Sequence, residues 1–187
     1  MISIRPVTPA AVRDPALQNQ LRMLLRDAVE SGASVGYVLP LADEVIDQYW
    51  RGVFDALEQG SLILLMAEHE GQAVATAQLS LCMKPNGIHR AEVQKVLVHT
   101  AARRRGLGRA LMQAVEQAAF DAKRSLLVLD TETGSAGQLL YTSMGFQVAG
   151  CIPNFVLATI TTTTANTIAA QSSSPTFLPT TYMYKLL

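Results

Sequence analysis

The stretch Arg103-Arg104-Arg105-Gly106-Leu107-Gly108-Arg109 decides the fold, because the hydrophobic pattern changes period across it. Before it, His89 to His99 reads as a strand whose Val93, Val96, Leu97 and Val98 cluster late instead of alternating. That break in the pattern permits a bulge. After it, Leu107, Ala110, Leu111, Ala114, Val115, Ala118 and Ala119 form a helical stripe on good helix formers. Ser125 to Asp130 follows as a strand of the buried type. Strand, helix and strand make a βαβ unit, which predicts parallel pairing of the two strands and a right-handed crossover.

Outward from this unit the chain reads as an α/β (α+β) fold. Ile2 and Ile4 alternate with Ser3 and Arg5, a short first strand stopped by Pro6 and Pro9. Two helices follow. Leu17, Leu21, Leu24, Leu25, Ala28 and Val29 mark the first, closed by Gly32, and Leu41, Val45, Ile46, Tyr49, Trp50, Val53, Phe54 and Leu57 mark the second, with Pro40 in its first turn and Gly60 at its end. The small residues from Gly32 to Val38 form a loop able to approach a ligand. Ser61 to Glu68, a turn at Gly71, and Ala73 to Met83 read as an antiparallel hairpin, and Lys84-Pro-Asn-Gly87 as another turn. After the βαβ unit, Ser135 to Met144 is a short helix, and Gly145 to Val148 with Thr181 to Leu186 complete the sheet. The Thr- and Ser-rich tract from Ala158 to Ser174 reads as a mobile loop, or as a frayed extension of the flanking hairpin.

At 187 residues the chain has the length of one domain, residues 1–187. Hydrophobic residues make up 49% and charged residues only 16%, which excludes global disorder. Lys plus Arg, 15, balance Asp plus Glu, 15, so no whole-molecule field attracts nucleic acid. The longest strongly apolar run, Leu62 to Ala67, is far short of the roughly 18 residues of a membrane span. Nothing at the start resembles a secretory signal, and the expected location is cytoplasmic. Cys82 and Cys151 have no metal-ligand spacing and read as reduced core thiols, and Trp50 and the Met residues as packing, with Trp50 or Tyr49 alternatively a wall of the substrate site.

Four guanidinium groups and two glycines in seven positions, between a strand and a helix, suit a phosphate. Glycines let backbone N–H groups point inward at close range, the helix adds its positive end, and arginines add full charge. Each hydrogen bond to a charged group contributes roughly 1.5 to 3 kcal/mol, so three or four hold a diphosphate at micromolar affinity. The plain alternative is a solvated basic turn. A dinucleotide fingerprint needs a glycine where Leu111 stands, and GxxxxGK[ST] occurs nowhere in the chain.

On these residues the chain resembles the GNAT acetyltransferase superfamily, whose signature [RQ]xxGx[GA] is matched by Arg103, Gly106 and Gly108. The resemblance runs over nearly the whole chain, to Tyr141-xxx-Gly145-Phe146. More narrowly, Gly32 to Gly36, Ala77 to Cys82, Lys84 to Gly87, Arg90 to Lys95 and Leu129 to Glu132 look like the tabtoxin-resistance branch, which acetylates a β-lactam amino-acid toxin. The resemblance implies a mixed, mostly antiparallel sheet of six to seven strands, with helices on both faces and a splayed parallel pair of central strands. It implies acetyl-CoA as cofactor, with Leu97 and Val98 pairing with the pantetheine arm and the backbone of Arg104, Arg105, Gly106, Leu107, Gly108 and Arg109 meeting the diphosphate. Ser135 and Gln138 are implied as further cofactor contacts.

Transfer to an amine needs a neutral amine and a proton for the departing thiolate. The resemblance assigns the second task to Tyr141; the alternative is a tyrosine that caps the core. Glu92 and Asp130, at strand ends flanking the splay, each suit the first, or attract a cationic amine, or sit as surface carboxylates. His89 and His99 lack obvious partners and are not assigned. The usual Asn and Ala before the tyrosine are Gly134 and Gly137 here, which predicts a softer helix. The expected partner is a small-molecule amine, with a homodimer also implied. A peptide amine as acceptor, and a noncatalytic acyl-CoA sensor, are the competing functions.

Overall fold

The computed structural model describes residues 2–158 and 175–187. The expectation for the tract from Ala158 to Ser174 therefore lies, apart from Ala158, outside the described residues. Seven strands form one sheet in the order β1-β2-β3-β4-β5-β7-β6: β1 is Ile2–Pro6, β2 Leu62–His69, β3 Gln72–Leu81, β4 Arg90–Val98, β5 Leu126–Glu132, β6 Gln147–Leu157 and β7 Phe177–Leu186. Every pairing is antiparallel except β4 with β5.

Helices α1 (Pro15–Glu30) and α2 (Asp43–Glu58) cover one face. Asp14 caps α1, its Oδ1 accepting from the Ala16 N–H at 2.9 Å, with Pro15 preset for the first turn. The stripe Leu17, Leu21, Leu24, Leu25, Ala28, Val29 packs with Ile46, Trp50, Val53 and Leu57 of α2 over Leu62, Leu64, Met66 and Leu97. Helix α2 begins at Asp43, so Pro40 precedes its first turn instead of occupying it; Asp43 and Glu44 supply the negative charge that this end favours. On the other face, α3 (Leu107–Asp121) buries Leu111, Met112, Val115 and Ala119 beside α4 (Ala136–Ser143).

The feature that positions the site is where β4 leaves β5. Their parallel ladder covers only Arg90 to Glu92 against Leu126 to Val128, although both strands run on. On its other edge, β4 sets three steps from Gln94 to Leu97 against two of β3, from Gln78 to Thr76. The extra residue is taken up with Lys95 at φ 47°, and a bulge of this kind bends its strand. The irregular apolar spacing before the arginine run is this bulge.

Two packing expectations fail. Cys151 is exposed on β6, and Cys82 is only partly covered, so neither is a core thiol. Met66, Met112 and Met183 are core residues, whereas Met23 and Met83 are exposed. Strand β6 also runs well past Val148, through Gly150, Pro153 and Asn154. It does so by register shifts between Val148 and Gly150 and between Ile152 and Val156, with Asn154 at φ 53°.

Candidate functional site

The turn before α3 is built to leave amides open. Arg104 and Gly106 both have positive φ, 62° and 78°, and Gly106 caps α3 with no side chain to accept from the first turn. The first helical bond is donated by Ala110 to the Gly106 carbonyl. The N–H groups of residues 104 to 109 therefore have no acceptor among the described residues, at the positive end of a helix. Leu107 turns its side chain into the core, so its contribution to the turn is the amide alone.

The four guanidinium groups divide in role. Arg103 donates from Nε to the Val98 carbonyl at 3.0 Å and from Nη2 to Ser31 Oγ at 2.6 Å, strapping the end of β4 to the end of α1. Arg109 donates to Ser143 Oγ at 2.7 Å, joining α3 to α4. Arg104 and Arg105 form no ion pair or hydrogen bond among the described residues and stand exposed. Because both of its bonds lie at the surface, we expect Arg103→Ala to cost about 1 kcal/mol. Calorimetry should read a Tm lower by about 2 to 4 °C; an unchanged Tm would show that the strap carries no weight.

Where β4 and β5 part, a cleft of about 620 Å³ opens, lined by residues of the loop 32–36, β4, β5 and α4. It brings together Glu92, Asp130 and Tyr141. Glu92 closes the parallel ladder and Asp130 stands two residues beyond its partner Val128, so both carboxylates come to the fork. Burial, and next the charge of Glu92, push the Asp130 carboxyl above the usual carboxylate range. Tyr141 is 9% exposed, its ring packed on Phe146, and burial pushes its phenol up to about 12. Its hydroxyl donates to no described residue.

Helix α4 presents Tyr141 through a reciprocal cap. Ser135 Oγ accepts from the Gln138 N–H at 3.2 Å, while Gln138 Oε1 accepts from the Gly134 N–H at 2.6 Å. Ser135 lines the cleft, whereas Gln138 spends its carbonyl on this cap. The two glycines have local reasons. Gly134 holds φ 80°, and a Cβ on Gly137 would come within 3.1 Å of Thr131 Oγ1 and 3.5 Å of the Tyr141 ring. Gly137 lies in the first turn of α4 and not in mid-helix, so the expected softening is confined to that turn.

Leu97 is buried by its side chain under α1 and α2, and the Val98 carbonyl is taken by Arg103. His99 is not isolated: its Nε2 lies 3.7 Å from Asp27 Oδ1, and its Nδ1 accepts from the Ala101 N–H. Asp27 also accepts from the Thr100 N–H and hydroxyl, so this cluster anchors α1 to the turn and stays outside the cleft. Sequence reasoning missed Lys95, which lines the cleft with its ammonium 5.9 Å from the Tyr37 ring and 5.8 Å from the Tyr49 ring. Its only signal was the pattern break around it.

Residues 60–148 match the family model of the acetyltransferase (GNAT) domain. The chain is 35% identical over 106 residues to an uncharacterized N-acetyltransferase of the hisH-hisA intergenic region of Azospirillum brasilense, an alignment covering 56% of this chain and 61% of that relative. The chain thus spans about three fifths of that relative's length. Among solved structures, ribosomal-protein-alanine N-acetyltransferase from Brucella melitensis is similar at TM-score 0.74 and 24% identity, covering 99% of each chain. The yncA protein from Salmonella typhimurium, solved with its cofactor acetyl-CoA, is similar at TM-score 0.74 and 18% identity, covering 100% of this chain and 94% of that one. At these identities the likeness is one of fold. The described chain has the mixed α/β GNAT fold, and its segment matched to the acetyltransferase (GNAT) domain, residues 60–148, holds the open-amide turn, Glu92, Asp130 and Tyr141.

Proposed function

We propose that the chain, as a single domain, is an N-acetyltransferase that uses acetyl-CoA and acts by direct attack of a substrate amine on the thioester. The observation that carries this reading is the row of open amides at residues 104 to 109, packed through Gly108 and Arg109 against α4, the helix that presents Tyr141 to a fork in the sheet holding Asp130 and Glu92. Such a row, at a helix N-terminus and backed by Arg104 and Arg105, fits a diphosphate. When bound, acetyl-CoA supplies an activated acetyl group.

The chain's own residues supply the proton handling. Asp130, directly or through water, takes a proton from the substrate ammonium and frees the nitrogen lone pair; burial, and next the charge of Glu92, keep its carboxylate basic enough for that task. As the C–N bond forms and the C–S bond breaks, Tyr141 gives its hydroxyl proton to the sulfur. A phenol pushed up to about 12 is protonated throughout the neutral range, as a donor must be. The nitrogen, still carrying two protons when it attacks, gives up the second as the amide forms; water carries that proton to the Tyr141 phenolate, and Asp130 releases the first to solvent.

The acceptor is a small amine or amino-acid-like molecule, in the manner of the β-lactam amino-acid toxin of the tabtoxin-resistance branch that the sequence blocks resemble. A thiol-release assay with acetyl-CoA over a panel of small amines, with a peptide N-terminus included, should show turnover greatest for a small amine. Cofactor binding with no turnover on any acceptor would replace the enzyme by an acyl-CoA sensor.

The pH profile follows from Asp130. The base works deprotonated, so kcat/KM should fall as pH drops through its raised pKa, giving an acid limb above the usual carboxylate range. Glu92→Gln removes a like charge and should move that limb to lower pH. A limb that does not move would detach Asp130 from the chemistry.

A further inference from the structure

Among the described residues Lys95 is the one lysine lining the cleft, and nothing in the proton transfers uses it. The bulge in β4 holds its backbone at φ 47°, a left-handed conformation uncommon for a side-chain-bearing residue, and such departures gather at functional positions. Its ammonium lies over both the Tyr37 and Tyr49 rings, 5.9 Å and 5.8 Å from their centroids, and the two rings meet edge to face at 5.7 Å. Gly36 closes the same space: a Cβ there would stand 3.4 Å from Lys95 Nζ. Tyr49 is fixed in turn, its hydroxyl accepting from Nε2 of the buried Gln78 at 2.6 Å.

This ammonium has no ion pair and no hydrogen bond among the described residues. Burial holds it below the usual lysine value, and Asp130 and Glu92 favour its charge only from beyond ion-pair distance. Aromatic faces offset part of the desolvation of a cation but accept none of its three N–H bonds. The same cleft therefore carries a positive wall without a partner and a negative wall made by Asp130 and Glu92. A simple cationic amine suits only the second wall. A molecule with an ammonium and a carboxylate suits both.

We propose that Lys95 is a specificity-determining residue that binds the carboxylate of the acceptor, which makes the substrate class free amino acids, oriented with the amine toward Asp130 and Glu92. The inference rests on the acetyl-transfer reading for its consequence but not for its test. A carboxylate bound by a sequestered ammonium is a charge-assisted contact, and its loss is expected to weaken binding by roughly 10- to 100-fold.

The test is titration calorimetry with L-alanine, L-lysine, L-glutamate and L-methionine, each beside its carboxamide, with coenzyme A present so that no acetyl group can move. At least one free amino acid should bind roughly 10- to 100-fold tighter than its carboxamide. Lys95→Met, which keeps the aliphatic stem, should shrink that ratio to about threefold or less, and Lys95→Arg should restore most of it. Equal binding of every amino acid and its carboxamide by the unaltered protein would overturn the proposal, as would a ratio that survives Lys95→Met. Because no turnover is read, an intact ratio without acetyl transfer would sink the proposed reaction alone, and turnover without the ratio would sink this inference alone.

Discussion

Tyr141→Phe is expected to lower kcat by about 10² to 10⁴-fold while leaving the dissociation constant of acetyl-CoA nearly unchanged. The substitution removes one oxygen and keeps the ring that packs against Phe146 at 5.8 Å, so the core loses almost nothing. The removed hydroxyl has no partner among the described residues, which separates its role from structural support. A thiolate leaving without a proton is the whole of the expected defect. Thiol release under saturating substrate, read beside calorimetry of the cofactor, checks both halves. Unchanged kcat would return Tyr141 to the role of a core tyrosine.

Gly106→Val is expected to weaken acetyl-CoA binding by at least about 100-fold. Gly106 sits at φ 78°, where a β-branched side chain is a severe misfit, and it is the residue from which the amides of α3 fan out. No heavy atom lies within 4 Å of where its Cβ would stand, so the defect is conformational and not a clash. If the turn relaxes and two charge-assisted bonds are lost, each at roughly 1.5 to 3 kcal/mol, the expected factor follows. Gly106→Asn, which tolerates the left-handed region, should retain affinity to within about tenfold. A circular-dichroism melt of both variants distinguishes a lost site from a lost fold, and full affinity in Gly106→Val would show that the turn does not hold the cofactor.

The sheet was legible wherever one face is buried against helices. The apolar stripes of α1, α2 and α3, and the change of period at Gly106, lead directly to the layers and to the parallel pair. The bulge was visible as a failure of alternation in Val93 to Val98. Its consequence was not, because periodicity cannot say which way a side chain turns at an irregular residue such as Lys95. The arginine run divides in a way that local sequence does not show. Four guanidinium groups read as one binding surface, yet Arg103 and Arg109 close on Ser31 and Ser143, residues brought near only by the tertiary fold. In the same way His99 found its carboxylate in Asp27, 72 positions earlier in the chain, beyond the reach of any local pattern. Gly150, Pro153 and Asn154 hid the length of β6, since each disfavours a regular strand and the ladder accommodates them only by shifting register.

The most direct measurement is a crystal structure of the protein soaked with acetyl-CoA. The account predicts the diphosphate on the amides of residues 104 to 109 and the thioester carbon in the fork between β4 and β5, with the sulfur within hydrogen-bond reach of the Tyr141 hydroxyl. Acetyl-CoA bound elsewhere, or none bound at saturating concentration, would contradict it.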